Sequence, residues 1–240
     1  MYIREVMNAM QEIRQGESQT REFKFRVDSQ RKIAKTLVAF ANTDGGTIFI
    51  GVKDNGVVAG VRGEEELYMI EGAADLHTRP RVDFRAEAIE VDGKTILAIH
   101  VPKSVTLPHE AHEEESDASK GRDWSAYFRQ GAANFRANGV LMEYWRTVEV
   151  PKSLTKEDQK VLTVLREWEE SEGFDIIEGR AAAQSSPPPP KESGLSVSQL
   201  IKRTQLPAKV VECALATLIS WNAVDFTAGE KGIRFQLTQV

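Results

Sequence analysis

The sequence predicts an α+β protein: a mixed sheet with packed helices, followed by a smaller unit of helices and one β-hairpin. Three observations predict it. Phe23, Phe25 and Val27 alternate with Glu22, Lys24 and Arg26 at the period of a half-buried strand, Ile33, Leu37, Phe40 and Ala41 follow at helical spacing, and Ile48 to Val52 is nearly all apolar. Asn55-Gly56 and Asp92-Gly93 are turn dipeptides, each with apolar residues on both sides. Residues 154–240 show the order helix, helix, turn, helix, hairpin.

Taken in order, Ile3, Val6, Met7, Met10 and Ile13 mark an amphipathic helix over residues 2–15. Strand 22–27 follows, and Asp28 and Ser29 offer caps for the next helix. Asn42-Thr43-Asp44-Gly45-Gly46 stops that helix with residues that tolerate positive φ. Ile48–Val52 is expected to be a central strand, with Val57–Val61 returning antiparallel after Asn55-Gly56. Residues 64–77 read as a helix with Leu67, Ile70 and Ala74 inward, ended by Pro80. Residues 82–91 and 94–101 form a hairpin in which Ile96, Ala98 and His100 face one way and Leu97, Ile99 and Val101 the other. Residues 109–123 are polar and read as a mobile insertion. Trp124–Phe128 is the last strand of this unit, and residues 134–145 read as a helix anchored by Phe135, Val140, Leu141 and Trp145.

The domain boundary is expected near residue 150, giving units 1–150 and 151–240. In the second, Thr155 caps a helix carrying Val161, Leu162, Leu165 and Trp168. Residues 171–194 hold Pro187 to Pro190, which force an extended segment, here an insertion. Ser196 caps a short helix, Thr204-Gln205-Leu206 is a turn, and Pro207 fits a first helical position before Val210, Val211, Ala214, Leu215 and Leu218. Val224–Thr227 and Ile233–Leu237 close the hairpin. This order resembles a winged helix.

Composition narrows the function classes. The chain is 41% hydrophobic and 28% charged, with no apolar run long enough to span a bilayer and no secretory-type apolar core at its start. A single cysteine, Cys213, excludes an internal disulfide or a multi-cysteine zinc site, and the expected location is cytoplasmic. The net charge of −5 argues against a chain that coats nucleic acid. Locally the balance reverses. Between residues 21 and 35, Arg21, Lys24, Arg26, Arg31, Lys32 and Lys35 face only Glu22 and Asp28.

Three stretches carry a family resemblance: Glu17-Ser18-x-x-x-Glu22-Phe23-Lys24, Ala39-Phe40-Ala41-Asn42-Thr43-x-Gly45-Gly46, and Ile50-Gly51-Val52-x-Asp54-x-Gly56. Together, over about residues 10–146, they resemble the Schlafen/AlbA-2 domain. The resemblance implies a DNA-binding module. In the Schlafen branch it implies a metal-dependent RNA nuclease, with Glu17, Glu22 and Asp54 as the carboxylates. Mg²⁺ or Mn²⁺ suits such oxygen ligands, and no cofactor is expected outside that alternative. Lys53 departs from the family's acidic residue at that position. Glu17 and Glu22 also lie five residues apart, on opposite faces of a regular strand, and meet only if the chain bends near Ser18–Thr20. The competing reading pairs Glu22 with Lys24 or a helix lysine and leaves Asp54 to its turn.

Lys24, Arg26, Arg31, Lys32 and Lys35 are the expected phosphate contacts of the first unit, and Lys209, Lys231 and Arg234 those of the second. The glycine loop lacks the Lys-Ser/Thr of a nucleotide-binding loop. His109 and His112 read as loop residues, and Trp124, Tyr127 and Phe128 as strand packing. The expected function is DNA-linked regulation, with DNA favoured over RNA as partner, no membrane, and the second unit adding a further contact or a homodimer surface. A metal-dependent RNA nuclease and a protein-interaction adaptor are the alternatives.

Overall fold

The computed structural model describes residues 2–61, 63–113, 123–147, 149–177 and 194–239. The chain divides into two compact units, Met1–Ala137 and Asn138–Val240.

The first unit opens with helix α1 (Tyr2–Arg14) and strand β1 (Arg21–Lys24), then helix α2 (Gln30–Asn42) and strand β2 (Gly46–Ile50). Helix α3 (Glu65–His77) and the two-residue strand β3 (Thr78–Arg79) lead into the hairpin β4 (Arg85–Val91) and β5 (Lys94–Val101). Strands β6 (Glu110–His112), β7 (Trp124–Gln130) and β8 (Ala133–Arg136) close the unit. One sheet has the order β1-β2-β5-β4, with β1 and β2 parallel and the other pairs antiparallel. A second sheet has the order β3-β6-β7-β8. The βαβ start is therefore present, and the apolar Ile48, Phe49 and Ile50 are central and buried.

Helix α2 is the hub of the main core. Ser29 caps it by accepting from the Lys32 amide, and its residues Ile33, Ala34, Leu37, Val38 and Phe40 pack with Ile48, Ile50, Leu97, Ile99, Val101 and Ile70. The other face of β5 and β2 packs a separate cluster, in which Ile96, Ala98 and Phe49 meet Ala9 and Ile13 of α1. The two faces of β5 thus fall as the alternation predicts.

Several sequence expectations are corrected. Met7 is exposed and Ala9 takes its inward place, because a helix buries the residues its neighbours can reach and not every apolar one. Strand β1 stops at Lys24 and leaves Phe25 outside. Val57–Val61 does return antiparallel, but through one bridge, Val52 to Val58, and not as a strand. Residues 110–112 are strand β6, paired on both sides, and His109 is buried; residues 114–122 lie outside the described residues. Residues 134 and 135 belong to β8, and the helix starts only at Gly139, where Asn138 supplies the capping oxygen to the Leu141 amide.

The second unit contains α4 (Gly139–Arg146), α5 (Lys156–Ile177), α6 (Val197–Thr204), α7 (Ala208–Ser220) and the hairpin β9 (Val224–Gly229) and β10 (Gly232–Leu237). Thr155 and Asp158 cap α5 reciprocally. Helix α5 continues through Ile177 where the sequence predicts an insertion from residue 171, and the proline run lies outside the described residues. Ser196 and Gln199 form a capping box on α6, and Gln205 ends it in the left-handed conformation. Pro207 is the residue before α7 and not its first. Val140, Val161, Leu165, Leu200, Val211, Leu215, Leu218 and Phe235 form the core.

Leu215 is fully buried in that core. Leu215→Ala is expected to cost about 2–4 kcal/mol, the range for a leucine truncated in a packed interior. A thermal melt of the second unit that did not move would contradict this packing.

Candidate nucleic-acid interface

The first motif of the sequence folds around an arginine that lies far from it in the chain. Glu22 is only 7% exposed, and its Oε2 lies 2.7 Å from Nη1 of Arg129, which is 2% exposed. The Lys24 ammonium holds the other carboxylate oxygen. Arg129 also donates to the Ser18 carbonyl through Nε (3.0 Å) and Nη2 (2.9 Å), to the Arg21 carbonyl (2.8 Å) and to Asn134 Oδ1 (3.1 Å), and its guanidinium stands 5.1 Å from the Phe40 ring centroid. A buried charge needs this degree of pairing to be tolerated.

The chain does bend between Glu17 and Glu22. The Ser18 amide donates to Arg21 O and the Arg21 amide to Ser18 O. The bend does not make a metal site. Glu17 Oε1 accepts from the Phe23 amide at 2.9 Å, and both oxygens of Glu22 are taken by cations. Asp54 stands exposed on the turn closed by Gly56 N donating to Lys53 O. Among the described residues no group of three His, Cys, Asp or Glu is placed to hold a metal ion. The donor set as arranged does not fit Mg²⁺ or Mn²⁺.

The second motif serves the same lock. Buried Asn42 donates to the carbonyls of His109 and Tyr127, both at 2.9 Å, and accepts from the His109 amide at 2.8 Å. Thr43 Oγ1 accepts from the Arg129 amide. A Cβ on Gly45 would lie 2.8 Å from Val101 O and Lys103 N, and one on Gly46 2.7 Å from Thr20 O. Backbone occupies the space beside these glycines, which leaves no cradle for a phosphate there.

The basic residues of 21–35 separate into two groups. Arg21 donates to Gly16 O, Lys24 is held by Glu22 and Phe23 O, and Lys35 turns inward to Glu113 (3.2 Å) and the Tyr127 ring. Arg26 is exposed with Asp28 beside it. Among the described residues, no carboxylate pairs with Arg31 or Lys32. The second unit is similar: Lys209 is bound by Glu143, Arg234 donates to Gln199 Oε1 and Gly194 O, and Lys231 is exposed on the β9–β10 turn.

Sequence reasoning missed Arg129 and Glu113. Neither carries a local signal of burial: Arg129 lies just past the expected end of the Trp124–Phe128 strand, beside Gln130, and Glu113 opens an acidic run. Glu113 is 1% exposed and accepts from the Tyr127 hydroxyl, with Lys35 and Arg136 at its oxygens. Burial would raise its carboxyl, but hydrogen bonds from Ser125, Tyr127 and Lys35 outweigh it and hold the group below the usual range. Burial and the bond to Glu113 push the Tyr127 hydroxyl up to about 12. His109, expected in a loop, is fixed by Pro80 O and Ser104 Oγ, both at 2.8 Å. His112 lies between His77 and Trp124, with Arg79 over the indole. Burial lowers His77, and the nearby charges of Arg31 and His112 lower it further.

A family model described as Schlafen, AlbA_2 matches residues 17–138, which hold the whole Glu22–Arg129 arrangement and its glycine loop. The chain belongs to the Schlafen/AlbA_2 family. Among solved structures, the DIP2311 protein of Corynebacterium diphtheriae is similar at 16% identity and a TM-score of 0.41, over 70% of this chain and 34% of that one. The N-terminal domain of a putative ATP-dependent DNA helicase RecG-related protein from Nitrosomonas europaea is similar at 22% identity and a TM-score of 0.38, over 55% of this chain and 93% of that one. The chain thus spans about a third of the length of the first. No match is found among curated proteins. No helix among the described residues is long and apolar enough to cross a membrane.

Two measurements test this Schlafen/AlbA_2 arrangement. Arg129→Ala should destabilise the first unit by about 3–5 kcal/mol, the cost of leaving a buried carboxylate without its partner. Adding Glu22→Ala to it should cost much less than the two single changes summed; strict additivity in urea unfolding would mean the pair is not coupled. Tyr127 has a folded value raised above its ordinary 10. Its contribution to stability is therefore full below about pH 10 and lost as pH rises through about 12. Tyr127→Phe should remove that alkaline loss; parallel urea midpoints for both chains up to about pH 12 would contradict it.

Proposed function

We propose that this Schlafen/AlbA_2 chain is a nucleic-acid-binding protein that holds the phosphate backbone on the outside of the β1–α2 connection. The observation that carries the reading is the separation of the cations. The lock at Glu22 and the cluster at Glu113 engage Lys24 and Lys35, while Arg26 and Lys32 are exposed and Arg31 is half-buried, the last two without a carboxylate partner among the described residues. Cations held on one rigid segment give affinity for phosphate without reading sequence. Local charge of this kind acts within about 10 Å at ordinary salt, so the acidic total of the chain does not cancel it.

DNA-linked regulation is the favoured role, with DNA preferred over RNA and the second unit acting as a winged helix. Helix α7 is its candidate recognition helix. Lys209 there is neutralised by Glu143, and Glu212 lies on the same helix, so this unit is suited to a supporting contact or a homodimer surface more than to base readout. Lys202 and Arg203, exposed in the last turn of α6, and Lys231 are further surface cations of this unit.

The test is a titration of duplex DNA, single strands and tRNA at several salt concentrations, with and without Mg²⁺ or Mn²⁺. The triple variant Arg26→Ala, Arg31→Ala, Lys32→Ala should bind all of them more weakly and flatten the salt dependence, by roughly one unit of slope for each phosphate that is no longer neutralised. Lys35→Met should instead lower the melting temperature and leave the salt slope alone. Binding of the triple variant equal to the parent on every ligand would remove this face from the account.

A further inference from the structure

Phe25 is where the alternation of β1 fails. The Lys24 carbonyl accepts from both the Gly51 amide (2.8 Å) and the Val52 amide (3.2 Å), so pairing with β2 closes at that residue and the chain leaves the sheet. The ring that alternation would bury is 47% exposed. It stands between Lys24 and Arg26 in the chain. The same two amides bring the turn at residues 53–57 alongside, and the Lys53 ammonium lies 5.9 Å from the Phe25 ring centroid. Val57, on that turn, is also exposed. A large ring left in water forgoes the stabilisation that burial gives, and here the Lys53 ammonium is its cationic neighbour.

We propose that Phe25 is a stacking platform for an unpaired base, which makes single-stranded nucleic acid the ligand class of this face. The inference rests on the reading of the β1–α2 surface as a phosphate-binding face. An exposed aromatic ring offers its π-face to any base, and bases present their faces only where they are unpaired; a duplex buries them in its own stack. Lys53 lies beside the ring, and with the exposed Arg26, the next residue in the chain, it would attract the phosphates of a strand whose base rests there. Lys53, which displaces an acidic residue of the family pattern, acquires a role in this arrangement: a carboxylate beside Phe25 would repel the strand.

The test uses the full chain with a labelled oligothymidylate and a labelled duplex of the same length, followed by fluorescence anisotropy. Phe25→Ala should weaken single-strand binding about tenfold or more, the scale of base–aromatic stacking, and leave duplex binding unchanged. Phe25→Trp should keep single-strand affinity and show added fluorescence quenching by the oligothymidylate. Since the ring is exposed, Phe25→Ala should melt with the parent; a lowered melting temperature would assign the ring to the fold and overturn the proposal. Equal losses on both ligands, or no loss on either while the parent binds, would overturn the stacking role and leave the phosphate-binding face standing. A parent chain that binds neither ligand at low salt would overturn both. Loss of self-association in light scattering, with single-strand affinity kept, would assign Phe25 to a protein contact and reject the stack.

Discussion

The buried pair of Glu22 and Arg129 is the constraint on which the first unit depends. It joins β1 to β7, strands of different sheets, and does so where water is excluded. Each partner would be costly to bury alone. Arg129 therefore uses its fork on two carbonyls, Ser18 and Arg21, and on Asn134, besides the carboxylate. The bend at Ser18–Arg21 exists to present those carbonyls. Helix α2 then packs between the sheets, with Phe40 against the guanidinium and Asn42 clamping His109 and Tyr127. The motif that marks the family is in this chain a set of instructions for enclosing one arginine.

That use of the motif bears on chemistry. Carboxylates that serve a divalent ion need lone pairs directed at one point. Here both oxygens of Glu22 are engaged by cations, and Glu17 Oε1 is turned to the Phe23 amide. The interior lock also sorts the surface charge. By engaging Lys24, and with Glu113 engaging Lys35, it leaves the outer cations of the β1–α2 connection as those with freedom to meet a phosphate. Arg31 and Lys32 sit in the first turn of α2, Arg26 on the segment just before it, and the same end of β1 exposes Phe25.

Much of the fold was legible where one periodicity decided it. Helix α2, the central β2, the β4–β5 hairpin with its two faces, and the Ser196 cap of α6 all follow from spacing and turn or cap residues that no tertiary contact overrides. The sequence misled where burial was set by a distant partner. Glu22 looked like the outward member of an alternation and is inside because Arg129 is there. Glu113 looked like the start of a solvated run and is inside because Tyr127, Lys35 and Arg136 surround it. Phe25 looked inward and is outside because pairing of β1 ends one residue before it. In each case the deciding atoms lie tens of residues away or in a neighbouring strand, which local pattern does not record.

The central claim is that the outer β1–α2 surface with the adjoining turn is a nucleic-acid interface. Backbone hydrogen exchange of the full chain, alone and saturated with a single-stranded oligonucleotide, tests it most directly. The account predicts added protection over residues 24–32 and 53–57, with the amides around Arg129 unchanged because the lock is already closed. Added protection confined to residues 197–237, with none at the β1–α2 connection, would contradict it.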